Sequence, residues 1–150
     1  MRRHTRYATV VAFGAVLGAL SWASAQGAPP AKDKHGFQGY WMGVDPTDGG
    51  DARRSLMQLD NGKFALAAHD SVLTLCGGTD RGFASFDDGE LVGRNELVSN
   101  SLTIQCFNNG ESVVLHVRYE LVDPSLMLEY TSLENGTLFS TIVLHRVSQD

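Results

Sequence analysis

Four dipeptides govern what this chain can fold into: Asn61-Gly62, Asp88-Gly89, Asn109-Gly110 and Asn135-Gly136. Each stands between two apolar, β-prone runs. Asn and Asp tolerate positive φ, and the glycine that follows has no Cβ to clash. Such a pair suits the tight turns whose twist matches that of paired strands. No intervening stretch carries an apolar period near 3.6 residues. The end of the chain, where a closing helix would be natural, reads "TLFSTIVLHRV" and is rich in β-branched residues. The expected strands cover residues 37–44, 54–59, 63–68, 72–76, 82–86, 90–98, 102–107, 113–122, 126–131 and 138–147. Eight to ten short strands joined by hairpins make an all-β, up-and-down antiparallel meander. A barrel removes the exposed edges that an open sheet of this length would leave; a two-sheet sandwich is the structural alternative.

Alternation along the strands predicts which side chains face inward. Val113, Leu115, Val117, Tyr119 and Leu121 alternate with Val114, His116, Arg118 and Glu120. In the next run Leu126, Leu128 and Tyr130 alternate with Met127 and Glu129, and the first set is assigned to the interior. Phe64, Leu66 and Ala68 make a similar stripe, as do Leu102, Ile104 and Cys106.

The N-terminal region predicts export. Arg2, Arg3 and Arg6 precede an apolar run from Ala8 to Leu20, and Ala23-Ser24-Ala25 supplies the small-x-small pattern cut by signal peptidase. Residues 1–25 are therefore expected to be a signal peptide, 26–36 a polar flexible arm, and 37–150 one domain. The apolar run is shorter than the ~20 residues that span a bilayer, so no stable membrane anchor is expected after cleavage. Loss of Arg2, Arg3 and Arg6 from 12 basic residues leaves nine against 17 acidic ones, a formal charge of −8. That balance argues against nucleic acid as a partner, which needs positive surface. In a secreted or periplasmic protein the two cysteines, Cys76 and Cys106, are expected to form one disulfide.

With these pieces in place, Gly39-x-Trp41 on the first strand and Arg146 on the last resemble the lipocalin-like, or calycin, β-barrels. The resemblance implies that Trp41 closes the barrel base and that Arg146 packs over its indole as a cation–π pair. The segment 45–53 between the first two strands is shorter than the long mouth-covering loop of typical lipocalins. Gly39-x-Trp41-x-Gly43 with His145 also resembles haem-binding nitrobindin-type barrels, although a lone histidine is expected to be structural.

Other suggestive residues reduce to local structure. Asp45, Asp48 and Asp51 share a glycine-containing loop, but the twelfth position of an EF-hand starting at Asp45 is Leu56, so turn chemistry suffices. His69, His116 and His145 have no metal-ligand spacing. No nucleophile elbow is present, and Asp70 and Glu129 have no identifiable partner carboxylate, so no enzyme activity and no cofactor are expected. "LCGGTDRGF" (residues 75–83) is expected to be a turn stapled by the disulfide rather than a ligand-touching rim.

Two functions follow as expectations. The first is binding of a small apolar ligand in a lumen lined by Phe64, Leu66, Leu102, Ile104, Leu115, Val117, Tyr119, Leu128 and Tyr130. The second is a protein-interaction module, such as an exported protease inhibitor or envelope-associated scaffold, whose partner is engaged by the arm 26–36.

Overall fold

The computed structural model describes residues 35–77 and 81–147; the expected signal peptide and all of the expected arm except His35 and Gly36 lie outside the described residues. Eight strands follow one another: β1 (Gly39–Val44), β2 (Asp51–Gln58), β3 (Phe64–Asp70), β4 (Gly82–Leu91), β5 (Glu96–Cys106), β6 (Ser112–Asp123), β7 (Leu126–Ser132) and β8 (Leu138–Arg146). Each pairs antiparallel with the next, and β8 pairs with β1, so the sheet closes into an up-and-down barrel. The all-β barrel expected from the turn dipeptides is what forms.

Eight strands form, within the expected eight to ten, and two of the ten drawn segments do not stand as separate strands, for two physical reasons. First, Asp88-Gly89 is not a turn. A Cβ at Gly89 would meet the Phe86 ring at 2.6 Å and the Phe64 carbonyl oxygen at 3.1 Å, so glycine here admits a close approach between strands. The chain continues through it and turns at Gly93 (φ 84°), where the Val92 N–H donates to the Glu96 carbonyl at 2.8 Å. The other three dipeptides do turn, with φ of 83°, 71° and 80° at Gly62, Gly110 and Gly136.

Second, the run 72–76 is a strap ending in a 3₁₀ turn, Thr74–Cys76, rather than a strand. Leu73 and Cys76 are both buried and three residues apart, the spacing that a 3₁₀ turn eclipses onto one side. Cys76 is bonded to Cys106, with Cα atoms 5.4 Å apart. Asn108 donates to the Cys76 carbonyl at 3.0 Å, and the Thr74 N–H and hydroxyl both reach Asp48 Oδ2 at 3.2 Å. These staples outweigh the β propensity of the segment.

The core is the barrel interior. Inward positions follow the predicted parity on β3, β5 and β6: Phe64, Leu66, Leu102, Ile104, Leu115, Val117 and Tyr119 are all buried. Strand β7 is a correction. Met127, Glu129 and Thr131 point inward, whereas Leu128 and Tyr130 lie half-buried on the outer wall. Met127 is as apolar as its neighbours, so hydrophobicity alone left the register of faces undecided. Glu129 decides it, because its carboxylate is the buried counter-charge of Arg54. On the outside the Arg118 guanidinium sits 4.0 Å from the Tyr130 ring centroid.

Candidate functional site

The base of the barrel is closed by the residues of the Gly-x-Trp strand. Trp41 is fully buried and its indole N–H donates to the Phe37 carbonyl at 2.9 Å. The Arg146 guanidinium lies over the ring, 4.1 Å from its centroid. Its N–H groups reach the carbonyls of Gln38 and Pro124, each at 2.7 Å, and that of Gly36. Gly39, at φ 142°, makes space for it: a Cβ there would stand 2.5 Å from Arg146 Nη1. This end is a packed plug.

The mouth half is built differently. Arg54 on β2 points inward between the cross-strand neighbours Trp41 and Ala68, and is 4% exposed. Its Nε and Nη2 donate to Glu129 Oε2 and Oε1 at 2.6 and 2.8 Å. Its Nη1 and Nη2 donate to Asp70 Oδ1 and Oδ2 at 2.6 and 3.3 Å. The remaining Nη1 hydrogen reaches the Arg53 carbonyl at 3.1 Å, so all five N–H groups are used. Two forked pairs on one guanidinium are the strong form of this contact.

Burial dominates the electrostatics. It works against the charged Arg54, but Glu129 and then Asp70 more than offset it, so the guanidinium stays charged well above its ordinary range. Burial raises the Asp70 carboxyl above the usual carboxylate range, and Arg54 pulls it back only in part. Tyr119, directly opposite Glu129 across the β6–β7 pair, has its hydroxyl pushed well above the phenol range, first by burial and then by the Glu129 charge. That hydroxyl has no hydrogen-bond partner among the described residues.

Beside the Arg54 cluster lies a cavity of about 20 Å³. Ala68 and Ala84, small residues on adjacent strands, leave this space, and Leu102, Ile104, Leu115 and Ile142 form an aliphatic wall. Asp45, Asp70, Glu129 and Thr131 supply its polar side, and Leu73 and Phe139 complete the lining. Leu73 is carried by the disulfide-stapled strap at this end of the barrel. A Cβ on Gly82 would meet Leu73 Cδ1 at 2.0 Å, so glycine is required for the strap to close down.

Of the nine residues expected to line the lumen, Leu102, Ile104 and Leu115 border this cavity. Phe64, Leu66, Val117 and Tyr119 face inward but belong to the packed core below it, and Leu128 and Tyr130 face outward. The three loop aspartates serve local structure: Asp45 Oδ1 accepts from the Thr47 N–H and the Ser140 hydroxyl, and Asp48 Oδ1 accepts from the Gly50 N–H. His145 is exposed on the outer wall, so it cannot ligate a haem in the lumen. Sequence reasoning missed Arg54, Asp70, Glu129 and Thr131. The available signal was Ala52-x-Arg54-x-Leu56, an arginine sharing the parity of two apolar residues, which demands an inward carboxylate elsewhere.

Comparison with protein-family models, curated proteins and solved structures finds no match for this chain. The site therefore rests on its own geometry.

Proposed function

We propose that this protein is an exported, lipocalin-like barrel that binds a small molecule in the mouth half of its lumen, with the ligand's apolar part against the Leu102–Ile104–Leu115 wall. The observation that carries this reading is the cavity beside the buried Arg54–Asp70–Glu129 cluster. A buried ion cluster is a poor stabiliser, since well-packed hydrophobic residues in its place are often as stable or more so. Charges held in a lumen next to empty space point instead to recognition. The Trp41–Arg146 closure supports kinship with calycin barrels, and the disulfide suits an oxidising compartment. No catalytic step belongs to this reading.

Native mass spectrometry of protein taken from its own secretory compartment tests it. A co-purifying small molecule is expected, and Ala84→Met, which fills the cavity, should remove it. A wild-type protein that carries nothing, and that binds no small molecule offered to it, would end this reading.

A second reading, the protein-interaction module, is favoured by the small size of the cavity, because a barrel filled with its own side chains can serve as a solid scaffold. It predicts a stoichiometric protein partner that is lost when residues 26–36 are deleted.

A further inference from the structure

The polar side of the mouth cavity is unbalanced. Its guanidinium donors are spent: every N–H of Arg54 is bonded, three of them at 2.8 Å or less. Its acceptors are in surplus. Each Asp70 oxygen takes one hydrogen bond, from Arg54, and retains a further lone pair. Asp45 Oδ1 is used by Thr47 and Ser140, while Oδ2 accepts nothing among the described residues. Three carboxylates, Asp45, Asp70 and Glu129, face one guanidinium across the cavity.

An independent observation points to an occupant. Thr131, on β7, lines the cavity, is 6% exposed, and its hydroxyl makes no hydrogen bond among the described residues. A hydroxyl that faces the cavity and bonds to no protein group leaves its donor and acceptor capacity open to an occupant. A volume of about 20 Å³ holds one group the size of a water molecule. An ammonium head is of that size, brings three donors and no acceptor, and carries the charge that the carboxylates lack.

We infer that the mouth cavity takes the protonated head of a small aliphatic amine, held by Asp70, Asp45 and the Thr131 hydroxyl, with its hydrocarbon chain leaving past Leu73. This rests on the lumenal binding proposed above and adds the class of ligand. Arg54 does not touch the amine. It holds Asp70 and Glu129 in place, so that the ammonium completes the cluster instead of competing with it.

Calorimetric titration of the purified full chain at pH 7 with n-octylamine, octanoate and octanol separates the possibilities. Octylammonium should bind and octanoate should not. Asp70→Asn should weaken octylammonium binding by roughly 10- to 100-fold, the effect of losing a hydrogen bond to a charged group. Thr131→Val, which keeps the side-chain shape, should weaken it by a smaller factor and keeps the test available if Asp70→Asn does not fold. Octanoate or octanol binding as tightly as octylammonium would overturn the amine inference and leave lumenal binding standing. Octylammonium binding unaffected by either substitution would overturn it as well, by placing the amine elsewhere. If none of the three compounds binds, even to Leu73→Ala with its mouth widened, both the inference and lumenal binding fall.

Discussion

Each end of this barrel encloses an arginine, and the two are satisfied by different means. At the base, Arg146 is half-buried and is held by the peptide carbonyls of Gly36, Gln38 and Pro124 and by the face of Trp41. In the mouth half, Arg54 is cut off from solvent and takes two carboxylates in forked pairs. Arg146 stitches the N-terminal lead-in and the β6–β7 turn onto an indole, which closes a structure. Arg54 organises charge beside a space that is not filled. One residue type thus marks a structural end and a chemical end, and the difference lies in what each guanidinium is packed against.

The largest expected effect breaks the mouth. Arg54→Met leaves Asp70 and Glu129 buried without a counter-charge and should destabilise the fold by about 3–5 kcal/mol. Replacing all three together, as Arg54→Met with Asp70→Leu and Glu129→Met, should recover most of that loss. Urea denaturation at pH 7 checks both. A triple variant as unstable as the single one would make the cluster a structural element like the base, and the contrast between the two ends would disappear.

At the base, Trp41→Ala removes the largest fully buried side chain and should also destabilise by about 3–5 kcal/mol. Here the comparison is sharpened by what stays unchanged: binding in the mouth half should survive in the fraction that remains folded. Normal stability with lost binding would show that Trp41 belongs to the site. Opening the strap with Cys76→Ser and Cys106→Ser should lower stability by about 3–4 kcal/mol for a loop of 30 residues. The same change frees Leu73, so amide hydrogen exchange should rise along the strap before it rises at Trp41. Arg146→Met is milder, at about 1–2 kcal/mol, because solvent can replace part of what its carbonyl partners lose.

How much of this could be read in the sequence depended on whether the cause was local. The turns at Gly62, Gly110 and Gly136 are set by adjacent residues and were legible. So was β6, where five apolar side chains alternate with Val114, His116, Arg118 and Glu120. Gly89 misled, since the reason for a glycine there is Phe86 and Phe64, one of them on another strand. The inward face of β7 was misread because Met127, Leu126 and Leu128 are all apolar, and the deciding residue, Glu129, looks like a surface carboxylate until its partner 75 residues away is known. The base pair Trp41 and Arg146 was legible only through a family resemblance. The mouth cluster had no such guide, as it joins β2, β3 and β7, and no spacing along the chain encodes that meeting.

The smallest expected effect compares two aspartates, one at each end, by their response to pH. Asp70, in the mouth half, is held above the ordinary carboxylate range by burial, with Arg54 opposing and Glu129 and Asp45 adding to the rise. The folded state therefore binds that proton more tightly than the unfolded chain. Its contribution to stability is full below the unfolded value, about pH 4, and is lost as pH rises through the higher folded value. Asp88, on β4 toward the base, is opposite. Burial pushes it up, but hydrogen bonds from Ser99 and Ser101 outweigh this and hold it low. Its contribution is present above the unfolded value and is lost as pH falls through the folded one. Urea midpoints between pH 3 and 7 should show the wild-type advantage over Asp70→Asn shrinking as pH rises, and that over Asp88→Asn growing. If the two difference curves run in the same direction, burial does not control Asp70, and the mouth half is wetter than its geometry implies.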